Sequence, residues 1–326
     1  MDREHPSPAD PQVTVVVVGE SLVDRVERPG HPVVEHPGGS PANVALTLGR
    51  LGHDVHLLTR LGDDERGRSV TEHLDTSGVR LLDGSLVPGP TSTALARIGA
   101  DGAADYDFDL HWELPRPVPP LPTNTVCLHT GSVAALLEPG AAQVLALCRD
   151  AGASATISYD PNVRPVLLGP ASQVRQQVEA LVVLADVVKL SDEDAGWLSP
   201  ADAPELLAAG WLAAGSQHRG PAVVVLTLGA DGAVGFCRNG RVEVAPLPVT
   251  VADTVGAGDS FSGALIDALA GHGLLGADRR TALRDIDLPT LHEVVAHAVA
   301  VAAVTVSRPG ADPPTRADLA AQRSGS

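Results

Sequence analysis

Short apolar runs without polar alternation recur along this chain, separated by segments whose apolar residues return every three or four positions. The first run covers 13–18 and stops at Gly19; others cover 54–59, 125–129, 155–159, 186–190 and 222–228. Such runs predict strands buried on both faces, because a strand with one wet face would alternate. Segments 40–51, 65–76, 140–151, 172–185 and 204–214 have helical spacing. Strands and helices in alternation predict a parallel sheet with helices on both sides. Asn239-Gly240, between 233–237 and 241–244, predicts a hairpin and so an antiparallel addition to that sheet. A long apolar helix is predicted over 291–306.

Two segments depart from this pattern. Within 21–37 and 91–110, short stretches alternate apolar and polar residues, as at Ala94, Ala96 and Ile98 and again at Tyr106, Phe108 and Leu110. They predict strands with one wet face. Inserted between units of a parallel sheet, they form either a small flap that excludes water from a cleft or an antiparallel extension of the main sheet. The ends, 1–12 and 321–326, carry little apolar surface and read as flexible tails.

At 326 residues the chain can bury the core of one large α/β domain or of two ordinary ones. Its net charge of -17 argues against nucleic acid and anionic membrane as partners, since both need a basic footprint. Any phosphate must then be held locally. Lys189 is the only lysine, which excludes a P-loop, whose Gly-Lys-Ser/Thr reaches the phosphates. Cys127, Cys148 and Cys237 are far apart, mostly in apolar surroundings, and read as core thiols. The polar, Pro-rich start and the short apolar run after it are unlike a secretory leader, so a cytoplasmic protein is expected.

The strongest chemical signal is Asp253-Thr-Val-Gly-Ala-Gly-Asp-Ser-Phe261, which ends a polar turn and opens an apolar helix. Gly256, Ala257 and Gly258 are small enough for successive backbone N–H groups to converge, and the helix start adds its positive dipole end. That combination is an anion site. Asp259 follows in the first helical turn, where a carboxylate beside a phosphate suits a general base that takes a hydroxyl proton; alternatively it only caps the helix. A second stretch, Pro37-Gly-Gly-Ser-Pro-Ala-Asn43, leads a glycine pair, Gly38 and Gly39, into another helix start. Ser40 is expected as its cap and Pro41 in its first turn. Asn43 can turn towards a polyol or supply a second cap-like bond.

With both stretches present, one near each end, the sequence resembles the PfkB (ribokinase-like) family of carbohydrate kinases over nearly its whole length. The resemblance implies an α/β fold: a ribokinase-like three-layer α/β/α sandwich, with a mostly parallel central sheet and a small β-sheet lid. It implies one domain over 13–320, with the lid drawn from about 20–37 and 91–112. It implies ATP as phosphoryl donor with Mg²⁺, Asp259 as base, and an anion hole from Gly256 to Asp259. Asp24 closes Gly19-Glu-Ser-Leu-Val-Asp24, similar to the family's first strand and its sugar-binding Asp; Gly38, Gly39 and Asn43 join it on the substrate side. Asp160-Pro-Asn-Val-Arg-Pro165 resembles the fructokinase motif and places Asn162 and Arg164 at the cleft.

Lys189-Leu-Ser-Asp-Glu-Asp194 resembles the Asn-x-x-Glu region that orders Mg²⁺ and phosphate through water. It departs from the pattern with Ser191 in place of Asn and Asp194 in place of Glu. Lys189 falls on the nucleotide side. Thr227-Leu-Gly-Ala-Asp-Gly-Ala233 resembles the nucleotide loop through Thr227, Gly229 and Gly232, although a simple glycine turn reads the same way. Ala303 falls in the closing helix, whose small side chains wall the adenine. Asp253, Val255 and Gly310 match a monovalent-cation site, potassium in the first instance. Fructose is the first choice of sugar. Ribose or 2-keto-3-deoxygluconate is the close rival, a nucleoside a more distant one, and a catalytically silent sugar- or nucleotide-binding regulator the reading from another class. An open lid edge suits a homodimer.

Three other signals fail. Gly271-His-Gly-Leu-Leu-Gly276 follows a helix rather than a strand, so it is no dinucleotide fingerprint. His292 and His297 are five apart, which turns them off a common helix face and rules out a zincin pair. No Gly-x-Ser-x-Gly elbow is present for Ser-His-Asp catalysis.

Overall fold

The computed structural model describes residues 12–99, 104–214 and 220–324. Its strands in chain order are β1 (Thr14–Val18), β2 (Leu22–Glu27), β3 (Val34–Gly38), β4 (Asp54–Leu58), β5 (Leu61–Gly62), β6 (Arg80–Leu81), β7 (Leu86–Val87), β8 (Thr93–Ile98), β9 (Ala104–Asp109), β10 (Thr125–Gly131), β11 (Thr156–Asp160), β12 (Val187–Ser191), β13 (Val223–Thr227), β14 (Ala233–Cys237) and β15 (Gly240–Val244). The helices are α1 (Ser40–Arg50), α2 (Glu65–Asp75), α3 (Gly140–Ala151), α4 (Ala171–Val182), α5 (Asp192–Leu198), α6 (Pro204–Ala214), α7 (Ala257–Gly271), α8 (Arg280–Arg284), α9 (Leu288–Val306) and α10 (Arg316–Ser324).

Nine strands form one sheet in the order β15-β14-β13-β12-β11-β10-β1-β4-β6. It is parallel from β13 to β6, and the β14–β15 hairpin runs antiparallel at one end. The unbroken apolar runs have their cause in two separate cores. Val15 and Val17 of β1 point into a core with α1, α7 and α9, whereas Val16 and Val18 point into another with α3, α4 and α6. Each strand buries alternate residues on opposite sides, so neither side can be polar. The three-layer α/β/α architecture follows.

A separate four-stranded sheet, in the order β3-β2-β8-β9, comes from the two alternating segments. Ala94 pairs with Phe108 and Ala96 with Tyr106, so the apolar alternation shares one face. Asp24 is registered against Ala94 and belongs to that same face. The lid is thus a sheet of its own and not an extension of the main one.

Several local expectations shift. α9 starts earlier than the apolar run, at Leu288, because Asp287 accepts the Thr290 N–H at 2.8 Å as its N-cap. By length and composition α9 could cross a membrane, yet it packs on α7, β14 and β15 with Leu291, Val294, Val295 and Ala298 buried, which makes it a core helix. Residues 321–324, expected in a flexible tail, complete α10, whose Leu319 enters the core. Of the N-terminal tail, 1–11 lie outside the described residues. All three cysteines are buried and free.

Helix α7 connects the core to the site. Its far half is anchored by buried Asp267, which takes His53 Nε2 at 2.8 Å, His297 Nε2 at 2.7 Å and the Arg316 guanidinium. Its first turn faces the C-terminal ends of β11 and β12, the edge where parallel sheets place their ligands.

Candidate active site

The turn before α7 has the backbone its glycines allow. Gly256 is the N-cap at φ 76°, in the left-handed region, and a Cβ there would lie 2.6 Å from that of Ala311. Asp259 is the third helical residue; in that first turn the Ala257 N–H donates to the Thr254 carbonyl at 3.3 Å, while those of Gly258 and Asp259 have no helical carbonyl four residues back. The turn therefore presents donors next to a carboxylate.

That carboxylate is buried and held from two sides. Ser40 Oγ donates to Asp259 Oδ1 at 2.7 Å and Asn43 Nδ2 donates to Oδ2 at 2.7 Å. Asn162 Nδ2 in turn donates to Ser40 Oγ at 2.8 Å, and Arg164 donates to Asn162 Oδ1 at 2.6 Å. Ser40 is not the cap expected of it. Gly39 is the N-cap of α1, with no side-chain cap, and Ser40 is the first helical residue, free to reach across to α7. Burial raises the Asp259 pKa; the Asn43 and Ser40 hydrogen bonds counteract this only in part.

Asp24 on β2 faces the same cleft. Burial and then the Asp259 charge push its carboxyl up to about 6, against the pull of His36 and Arg164. A Cβ on Gly38 would fall 2.1 Å from Asp24 Oδ2, so a larger residue there would displace that carboxylate. Gly39, at φ 105°, comes so near the Glu20 carbonyl that a Cβ would lie 2.5 Å from it. Asp24, Gly38, Gly39, Asn43, Asn162, Arg164 and Asp259, drawn from distant parts of the sequence, thus lie in one cluster.

Of the residues read as nucleotide-binding, Lys189 and Thr227 lie on the neighbouring strands β12 and β13. Lys189 is buried on β12 and pairs with Asp160 at 3.1 Å. Asp194 completes a capping box with Ser191 at the start of α5, and its Oδ1 also accepts the Val163 N–H at 2.9 Å. Thr227 ends β13, registered against Ser191. Gly229 and Gly232 both have left-handed backbones, and a Cβ on Gly232 would meet the Val244 carbonyl at 2.1 Å. The turn into the hairpin accounts for that glycine by itself. Ala303 is buried on α9. None of the described hydrogen bonds joins these last four residues to Asp259. Asp253 gathers the other proposed ion-site residues, accepting the N–H of Val255 and of Gly310 at 3.0 Å each.

Sequence reasoning passed over Glu20, a buried acid directly after β1. Its Oε2 accepts the Ala134 N–H at 3.0 Å. A charged residue at the C-terminal end of an apolar strand was the available signal. Burial pushes its carboxyl from an ordinary 4.5 up to about 7, against the pull of its hydrogen bonds. The folded chain therefore binds this proton more tightly than the unfolded one. Stability from this group is full below pH 4.5 and is lost as pH rises through 7, a swing of about 3 kcal/mol. Chemical denaturation of Glu20→Gln should show a flatter pH dependence between pH 5 and 8 than the parent. Equal slopes would remove Glu20 as the cause.

The profile of pfkB family carbohydrate kinases matches residues 13–318. The chain belongs to this family. As a pfkB carbohydrate kinase it is a phosphotransferase with an alcohol acceptor. It is 32% identical over 270 residues to a fructokinase of Rhizobium leguminosarum bv. trifolii, covering 80% of this chain and 81% of that protein. Its fold resembles the fructokinase of Xylella fastidiosa with bound ATP, at TM-score 0.79 and 26% identity over 96% of this chain and 99% of that one. A double mutant of the Vibrio cholerae O395 fructokinase, with fructose, ADP and potassium bound, aligns at TM-score 0.77 and 25% identity over 96% and 99%.

Proposed function

We propose that this kinase transfers the γ-phosphoryl group of ATP to a primary hydroxyl of fructose, with Asp259 as general base. One observation carries the reading: a buried carboxylate, held by Ser40 and Asn43, stands in the same helical turn as backbone N–H groups, those of Gly258 and Asp259, that lack an intrahelical acceptor. A hydroxyl that replaces Ser40 or Asn43 at the carboxylate can give up its proton there, while charge on the phosphoryl group meets the N–H groups of Gly256 to Asp259. Asp24 accepts from the sugar hydroxyls, and Asn162 and Arg164 bound the same pocket. Fructose is chosen on the fructokinase relatives and the Asp160 to Pro165 segment.

Lys189, Thr227, Gly229, Gly232 and Ala303 form the nucleotide side. Mg²⁺ arriving with ATP neutralises phosphate charge. Asp194 fits it through water, since both its oxygens already accept backbone N–H groups and keep only their remaining lone pairs. Asp253, Val255 and Gly310 would hold potassium beside the anion turn. A homodimer would form through the outer lid strands, β3 and β9.

The test is ADP release from Mg-ATP with fructose, ribose, 2-keto-3-deoxygluconate, tagatose 6-phosphate and adenosine. Strong preference for fructose is expected; preference for another acceptor overturns the sugar, and release with none of them overturns the reading. Asp24→Ala should raise the KM for fructose by about tenfold or more, as loss of hydrogen bonds to a charged acceptor does, and leave the KM for ATP nearly unchanged. Equal rises in both would remove Asp24 from the sugar pocket.

A further inference from the structure

Beneath the α7 turn lies a buried polar group that the reaction as described does not use. Asp160 ends β11 with its side chain 2% exposed. Its Oδ2 accepts from Lys189 Nζ at 3.1 Å and from Ser262 Oγ at 3.0 Å. One oxygen thus ties β11 to β12 and to α7, one turn beyond Asp259. Its Oδ1 is buried and has no hydrogen-bond partner among the described residues. A buried carboxylate oxygen left unpaired costs stability, as does a buried ion pair relative to an apolar contact. Selection for stability alone does not explain this arrangement.

Position explains it better. A Cβ on Gly258 would come within 3.0 Å of Lys189 Nζ, so the ammonium lies directly against the backbone of the anion turn. An ammonium has three donors, and among the described hydrogen bonds only one is used, by Asp160. Burial works against charge on Lys189, but Asp160, Asp194 and Asp259 more than offset it and raise its pKa. The only lysine of the chain is therefore a cation against the turn that opens α7.

We propose that Asp160 is a positioning residue for phosphoryl transfer: it holds the Lys189 ammonium under Gly258 with two donors open to the transferring phosphate, and through Ser262 it fixes the turn to the same oxygen. The inference rests on the kinase reading above but not on the identity of the sugar. Asp160 itself touches no substrate. It acts by keeping a cation and a set of backbone donors in fixed relation, and a misplacement of about 1 Å in such a set costs up to about 10²-fold in rate.

The experiment compares Asp160→Asn with the full-length parent, using whichever acceptor the parent phosphorylates best. The amide keeps the side chain's shape and an acceptor for Ser262 but loses the charge that holds Lys189. Turnover should fall about 10- to 10²-fold, with the KM for the sugar within about threefold, a small change by the same measure. The ratio of ATP to ADP affinity, measured by calorimetry, should fall as well, because Lys189 faces the transferring phosphate. A merely structural ion pair would lower the melting temperature and leave that ratio alone. Parent-like turnover and affinity ratio in a folded Asp160→Asn overturn the proposal. If that variant does not fold, Ser262→Ala decides: a several-fold fall in turnover at parent-like sugar KM supports it, and unchanged turnover overturns it. A parent inactive with every acceptor would fail the kinase reading instead, and calorimetry would still test Lys189 through the ATP to ADP ratio.

Discussion

Asp259→Asn is expected to reduce turnover by about 10²-fold or more while the protein stays folded. The amide has the shape of the carboxyl and can still accept one hydrogen bond, and the Ser40 hydroxyl can rotate to accept from its NH₂. What it cannot do is take a proton. Because burial already disfavours charge at this position, removing that charge should leave the melting temperature unchanged or slightly raised. Steady-state ADP release and a thermal melt on the same preparation check both halves. Parent-like turnover would end the assignment of Asp259 as base, and a collapsed melt would make its role structural.

The second large effect is expected at Gly256→Ala. A side chain at φ 76° costs about 1 kcal/mol, and its Cβ would press within 2.6 Å of the Ala311 Cβ and 3.0 Å of its Cα. The turn must move, and its N–H groups with it. Turnover should fall on the order of 10²-fold, the size seen when a donor to developing charge is lost or displaced. Gly273→Ala is the matched control. It lies just past the other end of α7, also left-handed at φ 65°, with no atom within 4 Å of the added Cβ. Both variants should lose similar backbone stability, yet only Gly256→Ala should lose turnover. If the two lose turnover equally, the loss comes from α7 stability and not from donor placement.

Much of the architecture was legible before any coordinates. The apolar runs become strands because a run without polar residues satisfies only a strand covered on both faces, and Val15 to Val18 divide between two cores in that way. The hairpin at Asn239-Gly240 and the alternation that makes β8 and β9 strands with one wet face have equally local causes, whereas the pattern left open that these strands form a sheet of their own. Residues 321–324, which read as tail from composition, fall within α10, whose Leu319 reaches a core that composition does not reveal.

The site divides along the same line. By itself the sequence determined the glycine turn at 256–258, the place of Asp259 in the first turn of a helix, and the glycine pair at 38–39 before another helix start, since each depends on backbone preferences spanning only a few residues. Only the tertiary structure decided that Ser40 braces Asp259 across 219 residues instead of capping its own helix. Only it brought Ser262 to Asp160 across 102 residues and left one oxygen of that carboxylate unpaired beside Lys189. These pairings depend on which strand lies beside which and on where α7 crosses the sheet edge. Strand order is a non-local property, and no short stretch of side chains encodes it.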